Sequence, residues 1–477
     1  MTARLTQAAL AGLPASVERP RYDRAKVRTG IVHLGVGAFH RAHQAVYVDD
    51  ALAAGDLRWG IAGVSLRSAD TRDALAPQDG LYAVAVRSGQ GTALRVIGSV
   101  HELLVGPESV EAVLARMCDP AVAIISLTIT EKAYCRGPDG GLDLNHPAIR
   151  ADLANRDHPR SAIGLLVAAI ERRRTAGTAP FTMLSCDNLP SSGRVLARLV
   201  QEYAAEVSPG QAAFVRDAVA SPATMVDRIV PATTDADRAE VADLLGVADA
   251  WPVVTEPFCQ WVIEDRFPSG RPDFAAFGAK MVTEVEPYER MKLRLLNGSH
   301  SALAYLGLQA GLETVAEAIA SKALYSFTVA LMDDGADTLS GIAAADIAPY
   351  RASLLTRFAN PALHHRLAQI AMDGSQKLPQ RILAVARERL GRGLPIARHS
   401  LAVAAWIMFA SRGERLNDPM ADAIAEAAKR GPSALLGLKA IFGDLSDEPR
   451  FASEVLRWCD AITTRGALTA AAEATAT

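Results

Sequence analysis

Cysteine is scarce and scattered in this chain. Cys118, Cys135, Cys186, Cys259 and Cys459 form no Cys-x-x-Cys pair and no Cys/His spacing of a zinc site. An odd, dispersed set argues against a disulfide framework and leaves reduced thiols, some of them core filler, so no bound metal is expected. The pair His364-His365 does not change this, because neighbours on a helix point about 100° apart and one site rarely takes both. An excess of one charge is also missing: the net charge of -3 over 477 residues gives no electrostatic reason to expect nucleic acid. Long apolar runs are absent too. "PAVAIISLTIT" and "SLAVAAWIMFAS" fall short of the roughly 20 residues that span a bilayer. The opening "MTARLTQAALAGLPASVERP" has no sustained apolar segment of the signal-peptide kind. These absences lead to the expectation of a cytoplasmic protein with neither a membrane nor a nucleic acid as partner.

What is present is enough apolar sequence for two or three cores. Between Thr29 and Val100, strand-like runs ("GIVHLGVG", "WGIAGVSL", "LYAVAVR", "LRVIGSV") alternate with helical or turn segments, and "VAIISLTIT" and "PFTMLSCDNLP" extend the series. Such alternation predicts an α/β domain built on a largely parallel, doubly wound sheet. After about Pro287 the stretches carry helical periodicity with few β-branched runs, which predicts a mainly α-helical second domain. The expected domains are 1–286 and 287–477, with a frayed tail at "LTAAAEATAT". Apolar helix faces serve cores and interfaces alike, so a monomer and a small homo-oligomer are both open.

Three stretches carry chemistry. In "GIVHLGVGAFHRAHQ", an expected strand runs into Gly35-Val36-Gly37 and a helix, a turn that lets backbone N–H groups approach a pyrophosphate. His40 stands where the usual fingerprint has its third glycine. The next strand leads to Arg67 and Asp70, where a Rossmann-type domain meets the adenosine ribose; an acid there favours NAD, and a solvated loop charge is the plain alternative for Asp70. In "SCDNLPSSG", Asn188 follows a buried strand and on sequence alone reads first as a turn or cap residue, and Asp227 in "ATMVDRIVP" reads first as a partner of Arg228. In "YERMKLRLLNGSH", α-helical arithmetic sets Asn297 about 140° and His300 about 80° round from Lys292, one concave wall but no narrow stripe. Glu289 lies one turn before Lys292, and Asn297-Gly298 on its own predicts a helix end.

Taken in order, "GVGAFHRAHQA", "SLTITEKAYC", "SCDNLP", "MVDRIVP", "WPVVTEPFCQWV", "YERMKLRLLNGSH" and "DGSQKLP" resemble the long-chain mannitol dehydrogenases over roughly residues 25 to 460. The resemblance implies NAD-dependent, zinc-independent oxidation of a polyol secondary alcohol to a ketose, D-mannitol to D-fructose and possible relatives such as D-arabinitol and D-sorbitol. It implies an extended Rossmann-type domain, a mainly helical domain and a cleft between them. It places the catalytic lysine on Lys292, the two alkoxide-holding asparagines on Asn188 and Asn297, the substrate-orienting histidine on His300 and the proton-relaying acid on Glu289. Further polyol contacts fall on Asp227 and Lys377, and the cofactor loop on Gly35, Gly37, Phe39 and His40, with Arg67 and Asp70 beyond it. One position departs from the pattern: where some members carry a substrate-binding arginine, this chain has Gln369, with Arg366 a turn away. A hexuronate reductase of the same fold and a non-catalytic NAD-binding sensor are the competing readings.

The chemistry of such residues is coherent. Hydride leaves a carbinol carbon only as its hydroxyl loses a proton, so a base within hydrogen-bond reach is needed. Without a metal, amide donors can hold the incipient alkoxide.

Overall fold

The computed structural model describes residues 3 to 413 and 415 to 476. Its contacts divide into two units, Met1–Glu286 and Pro287–Thr477.

The first unit carries strands β1 (Thr29–Leu34), β2 (Gly60–Ser65), β3 (Tyr82–Ser88), β4 (Gly91–Ile97), β5 (Val100–Val105), β6 (Ile124–Leu127), β7 (Thr182–Ser185), β8 (Thr224–Asp227), β9 (Val253–Thr255), β10 (Gln260–Glu264) and β11 (Lys280–Val282). Five of them form a parallel sheet in the order β5-β2-β1-β6-β7. Every residue of β1, β6 and β7 is buried, as a sheet covered by helices on both faces requires. The order reverses between β1 and β6, the switch point at whose carboxyl edge such sheets bind ligands. Register levels that edge: Leu34 pairs with Val64 on one side and Leu127 on the other, and Leu127 pairs with Ser185. The chain therefore leaves β1, β6 and β7 side by side.

Not all the strand-like runs join this sheet. β3 and β4 form an antiparallel hairpin in a separate sheet ordered β4-β3-β9. Only Gly89 and Gln90 separate them, far too few residues for the crossover that parallel neighbours need. A third sheet, β11-β10-β8, sets the last residue of β8, Asp227, opposite Gln260.

The second unit is helical, with no strand among its described residues. Two helices, Gly298–Gln309 and Ala397–Ala410, are buried nearly all round and form its centre. The expected fraying of the tail does not occur through Ala476, and Thr477 lies outside the described residues. Ala467–Ala476 is a helix whose Ala467, Ala470, Ala471 and Ala474 form a buried stripe at helical spacing, packed on the helix Lys322–Ala336. Small side chains permit that close approach, and the packing supplies what a short isolated helix lacks. No helix among the described residues is long and apolar enough to cross a membrane.

Candidate active site

In the first unit the site begins where β1 ends. Gly35 has φ +96, and a Cβ there would lie 2.2 Å from the Thr128 carbonyl oxygen, so only glycine fits. Gly37 differs: its φ is -80 and a Cβ would meet nothing nearer than 4.0 Å. The first glycine serves the fold; the second keeps backbone open on an exposed face, as a cofactor loop needs. His40, in the place of the third glycine, has no exposed surface. Its ring stacks on His33 with centroids 3.4 Å apart. His33 in turn lies 2.8 Å from both Ser126 Oγ and Thr128 Oγ1 and 3.1 Å from the Gly35 carbonyl. Burial pushes the His33 pKa down to about 3 and that of His40 well below the usual value, so two neutral rings form the floor of the loop. His40 thus supports the loop from behind; Phe39, half-buried, stacks on His43. Arg67 and Asp70 lie beyond the carboxyl end of β2, both exposed, and Asp70 accepts from Ser68 Oγ at 2.8 Å.

Asn188 occupies the bend after β7. It is the middle residue of a tight turn closed by Leu189 N–H donating to the Asp187 carbonyl at 2.8 Å. Beside it, Thr130 has φ +71 and ψ 155, a region almost reserved for glycine that costs about 1–3 kcal/mol for other residues. Strain of that kind gathers at functional sites. Asp227 is buried at the end of β8, while the Arg228 guanidinium donates to the Glu256 carbonyl at 3.0 Å.

The second unit holds the larger surprise. Asn297-Gly298 does not end a helix. The α-helix Glu286–Met291 opens into a π-helix, Lys292–Asn297, and continues as the α-helix Gly298–Gln309. A π-turn bonds residue i to i+5, so Lys292 and Asn297 stand one above the other instead of well round the axis. Glu289, Lys292, Asn297 and His300 are spaced by three, five and three residues and therefore share one face. All four are buried, at 7 or 8% exposure. Gly298 serves close packing: a Cβ there would sit 3.0 Å from the Arg381 carbonyl, on a second π-helix, Pro379–Leu383.

Two polar atoms on this face, Asn297 Nδ2 and His300 Nε2, are buried with no hydrogen-bond partner. Leaving a buried donor or acceptor unpaired costs about 1–3 kcal/mol, a cost that a polar ligand on this face would relieve. His300 is held by Phe358, stacked at 4.4 Å, and by the edge of His365 at 5.2 Å. Burial first, then His365, Arg357 and Arg381, hold its pKa well below the usual value, so the ring is neutral. Lys377 Nζ donates to the Ile370 carbonyl at 3.2 Å, and burial followed by Arg381 brings its pKa down to about 8. Gln369 and Arg366 are both exposed, on and before the helix Leu367–Ile370. The cations that bear on His300 are Arg357 and Arg381, and sequence reasoning named neither. Arg381 had a signal, four residues after Lys377 in "KLPQRIL"; buried Arg357 had none. Among the described residues no group of three or more His, Cys, Asp or Glu side chains is gathered for a metal ion.

A family model described as the mannitol dehydrogenase Rossmann domain matches residues 29–276, and one described as the mannitol dehydrogenase C-terminal domain matches residues 284–463. The chain belongs to the mannitol dehydrogenase family. Among relatives within or near that family, D-mannonate oxidoreductase of Escherichia coli strain K12 is 45% identical, over 90% of this chain and 92% of its own. Mannitol 2-dehydrogenase of Pyrenophora tritici-repentis is 41% identical, over 95% of this chain and 83% of its own. The solved ternary complex of Pseudomonas fluorescens mannitol 2-dehydrogenase with NAD and D-mannitol matches with a TM-score of 0.89 and 36% identity, covering 98% of this chain and 99% of that one. Membership of the mannitol dehydrogenase family makes this chain an oxidoreductase, with a Rossmann-type first domain and a helical second one.

Proposed function

We propose that the protein is an NAD-dependent, zinc-independent dehydrogenase that interconverts a polyol secondary alcohol and a ketose, D-mannitol and D-fructose first among them. The observation that carries this reading is the single buried face of Glu289, Lys292, Asn297 and His300, with two of its polar atoms left for a ligand. NAD, when bound, supplies the hydride acceptor. The open backbone at Gly37 and the switch point between β1 and β6 fit a dinucleotide. Arg67 and Asp70 are the candidates for its ribose end.

Lys292 takes the proton from the carbinol hydroxyl as hydride leaves the carbon. Asn297 Nδ2 donates to the alkoxide that develops, and Asn188 is the second amide donor. Neutral His300 orients a neighbouring hydroxyl through Nε2, and Asp227 and Lys377 bind the rest of the polyol. Glu289, one turn before Lys292, passes the proton outward.

A second reading is favoured by Arg357 and Arg381, which bear on His300, and by Lys377, on which Arg381 bears, a set of cations that suits a carboxylate, and by the likeness to a D-mannonate oxidoreductase. The two readings part in one assay: NADH oxidation with D-fructose against D-fructuronate. Turnover confined to the uronate would sink the polyol reading. If Lys292→Ala left turnover unchanged, the assignment of the base would fail as well.

A further inference from the structure

Asp187 belongs to none of the roles above, yet it joins the two loops that flank the switch point. Its Oδ2 accepts from the Ile129 N–H at 3.1 Å and from the Tyr134 hydroxyl at 2.8 Å, and its Oδ1 accepts from the Thr130 N–H at 3.0 Å. Tyr134 Oη also lies 2.6 Å from Ser185 Oγ, at the last residue of β7. One carboxylate thus holds the strained Thr130 backbone, while its own main chain opens the turn centred on Asn188. The brace reaches further, because Thr128 Oγ1 donates to the Gly35 carbonyl at 2.8 Å and so ties the same segment to the glycine loop. A solvated loop aspartate would need none of this, and any of several residues could cap a turn. A carboxylate has two oxygens with lone pairs enough to take two successive backbone N–H groups and a phenol at once.

We propose that Asp187 is a positioning residue for hydride transfer, locking the segment after β6 to the turn that presents Asn188, so that cofactor and amide donor keep one register. The proposal rests on the functional reading above and adds to it the residue that fixes Asn188.

The test is Asp187→Asn, which keeps the shape but puts an N–H₂ where one acceptor stood. Because that variant can fail to fold, Tyr134→Phe is measured beside it; it removes the hydroxyl that bonds both Asp187 and Ser185 and leaves the carboxylate and both backbone bonds. Wild-type turnover of D-fructose and of D-fructuronate by NADH tests the functional reading itself, and the ratio of variant to wild type tests Asp187. For Asp187→Asn, kcat should fall by about 100-fold, the cost of misplaced reacting groups, with the NADH dissociation constant within about threefold of wild type. The isotope effect from 4-deuterated NADH should rise as hydride transfer becomes limiting, and Tyr134→Phe should show the same signature with a loss under about tenfold. An unchanged kcat in a folded Asp187→Asn overturns the proposal. So does an equal loss of NADH affinity and kcat/KM with an unchanged isotope effect in either variant, because a merely structural support would give that pattern.

Discussion

Asn297 stands one π-turn after Lys292, on the same buried face, with its Nδ2 unpaired. An amide N–H₂ buried without an acceptor is kept at the expense of stability, so removing it should separate function from folding. Asn297→Ala is expected to lower kcat by about 10²–10³-fold, as loss of an oxyanion donor does, with substrate KM changed far less. Its melting temperature should equal or exceed that of the wild type, since the deleted donor satisfies nothing in the free protein. Calorimetry and steady-state kinetics on one preparation check both; a melt lowered together with kcat would mean that Asn297 is a packing residue.

Lys377 gives a pH prediction with a definite sign. Its ammonium is charged in both folded and unfolded chains below pH 8, and partial burial of that charge disfavours the folded state. Between about 8 and the ordinary value of 10.5 the unfolded chain binds the proton more tightly, so stability rises with pH across that window. Urea unfolding at pH 7.5 and 9.5 should therefore show the wild type gaining on Lys377→Met. The same loss of charge should raise KM for a ketonic acid above pH 8, a limb absent from the variant. A gap in stability that stays constant with pH would show that Lys377 titrates normally.

The parallel sheet was legible because β1, β6 and β7 are short, largely apolar runs with no polar alternation, the mark of strands covered on both faces. The β3-β4 hairpin was hidden in the same kind of run; its two-residue connection was the signal that pointed away from a parallel neighbour. The stretch from Glu289 to His300 was legible in residue type but not in geometry. A rotation of 100° per residue splits Lys292 from Asn297, and nothing local in "KLRLLN" announces a π-turn, which here accompanies the close approach of Gly298 to the backbone at Arg381. His40 shows the converse limit. The resemblance set it in the cofactor loop, but only the structure could show the ring turned inward onto His33.

His300 should not titrate in the working range, because burial and the nearby Arg357 and Arg381 keep it neutral. An acidic limb in the pH profile of kcat/KM therefore belongs to another group. His300→Asn, which retains a side-chain amide near the same place, is expected to lose about tenfold in kcat/KM, of the order of one hydrogen bond, and to keep the shape of that limb. Disappearance of the limb in the variant would assign the titration to His300 and contradict its neutral state.

Gly35 and Gly37 look equivalent in "GVGAFH", yet the structure gives them opposite roles. Gly35→Ala meets the Thr128 carbonyl oxygen at 2.2 Å and must hold φ +96, so it should destabilise the first unit by about 1–3 kcal/mol or more and lose NADH binding with the fold. Gly37→Ala meets nothing within ordinary contact and keeps an allowed φ of -80. Its stability should be unchanged or higher by about 0.4–1 kcal/mol, through the smaller entropy of the unfolded chain. NADH affinity is the discriminating quantity, because a methyl group at Gly37 occupies the space through which backbone would approach a pyrophosphate. Fluorescence titration should show it weakened by about tenfold or more in a protein that melts no lower than wild type, a cost of about 1.4 kcal/mol or more confined to the ligand. If Gly37→Ala binds NADH as the wild type does, the dinucleotide does not lie over this turn, and the cofactor assignments of Phe39, Arg67 and Asp70 lose their anchor.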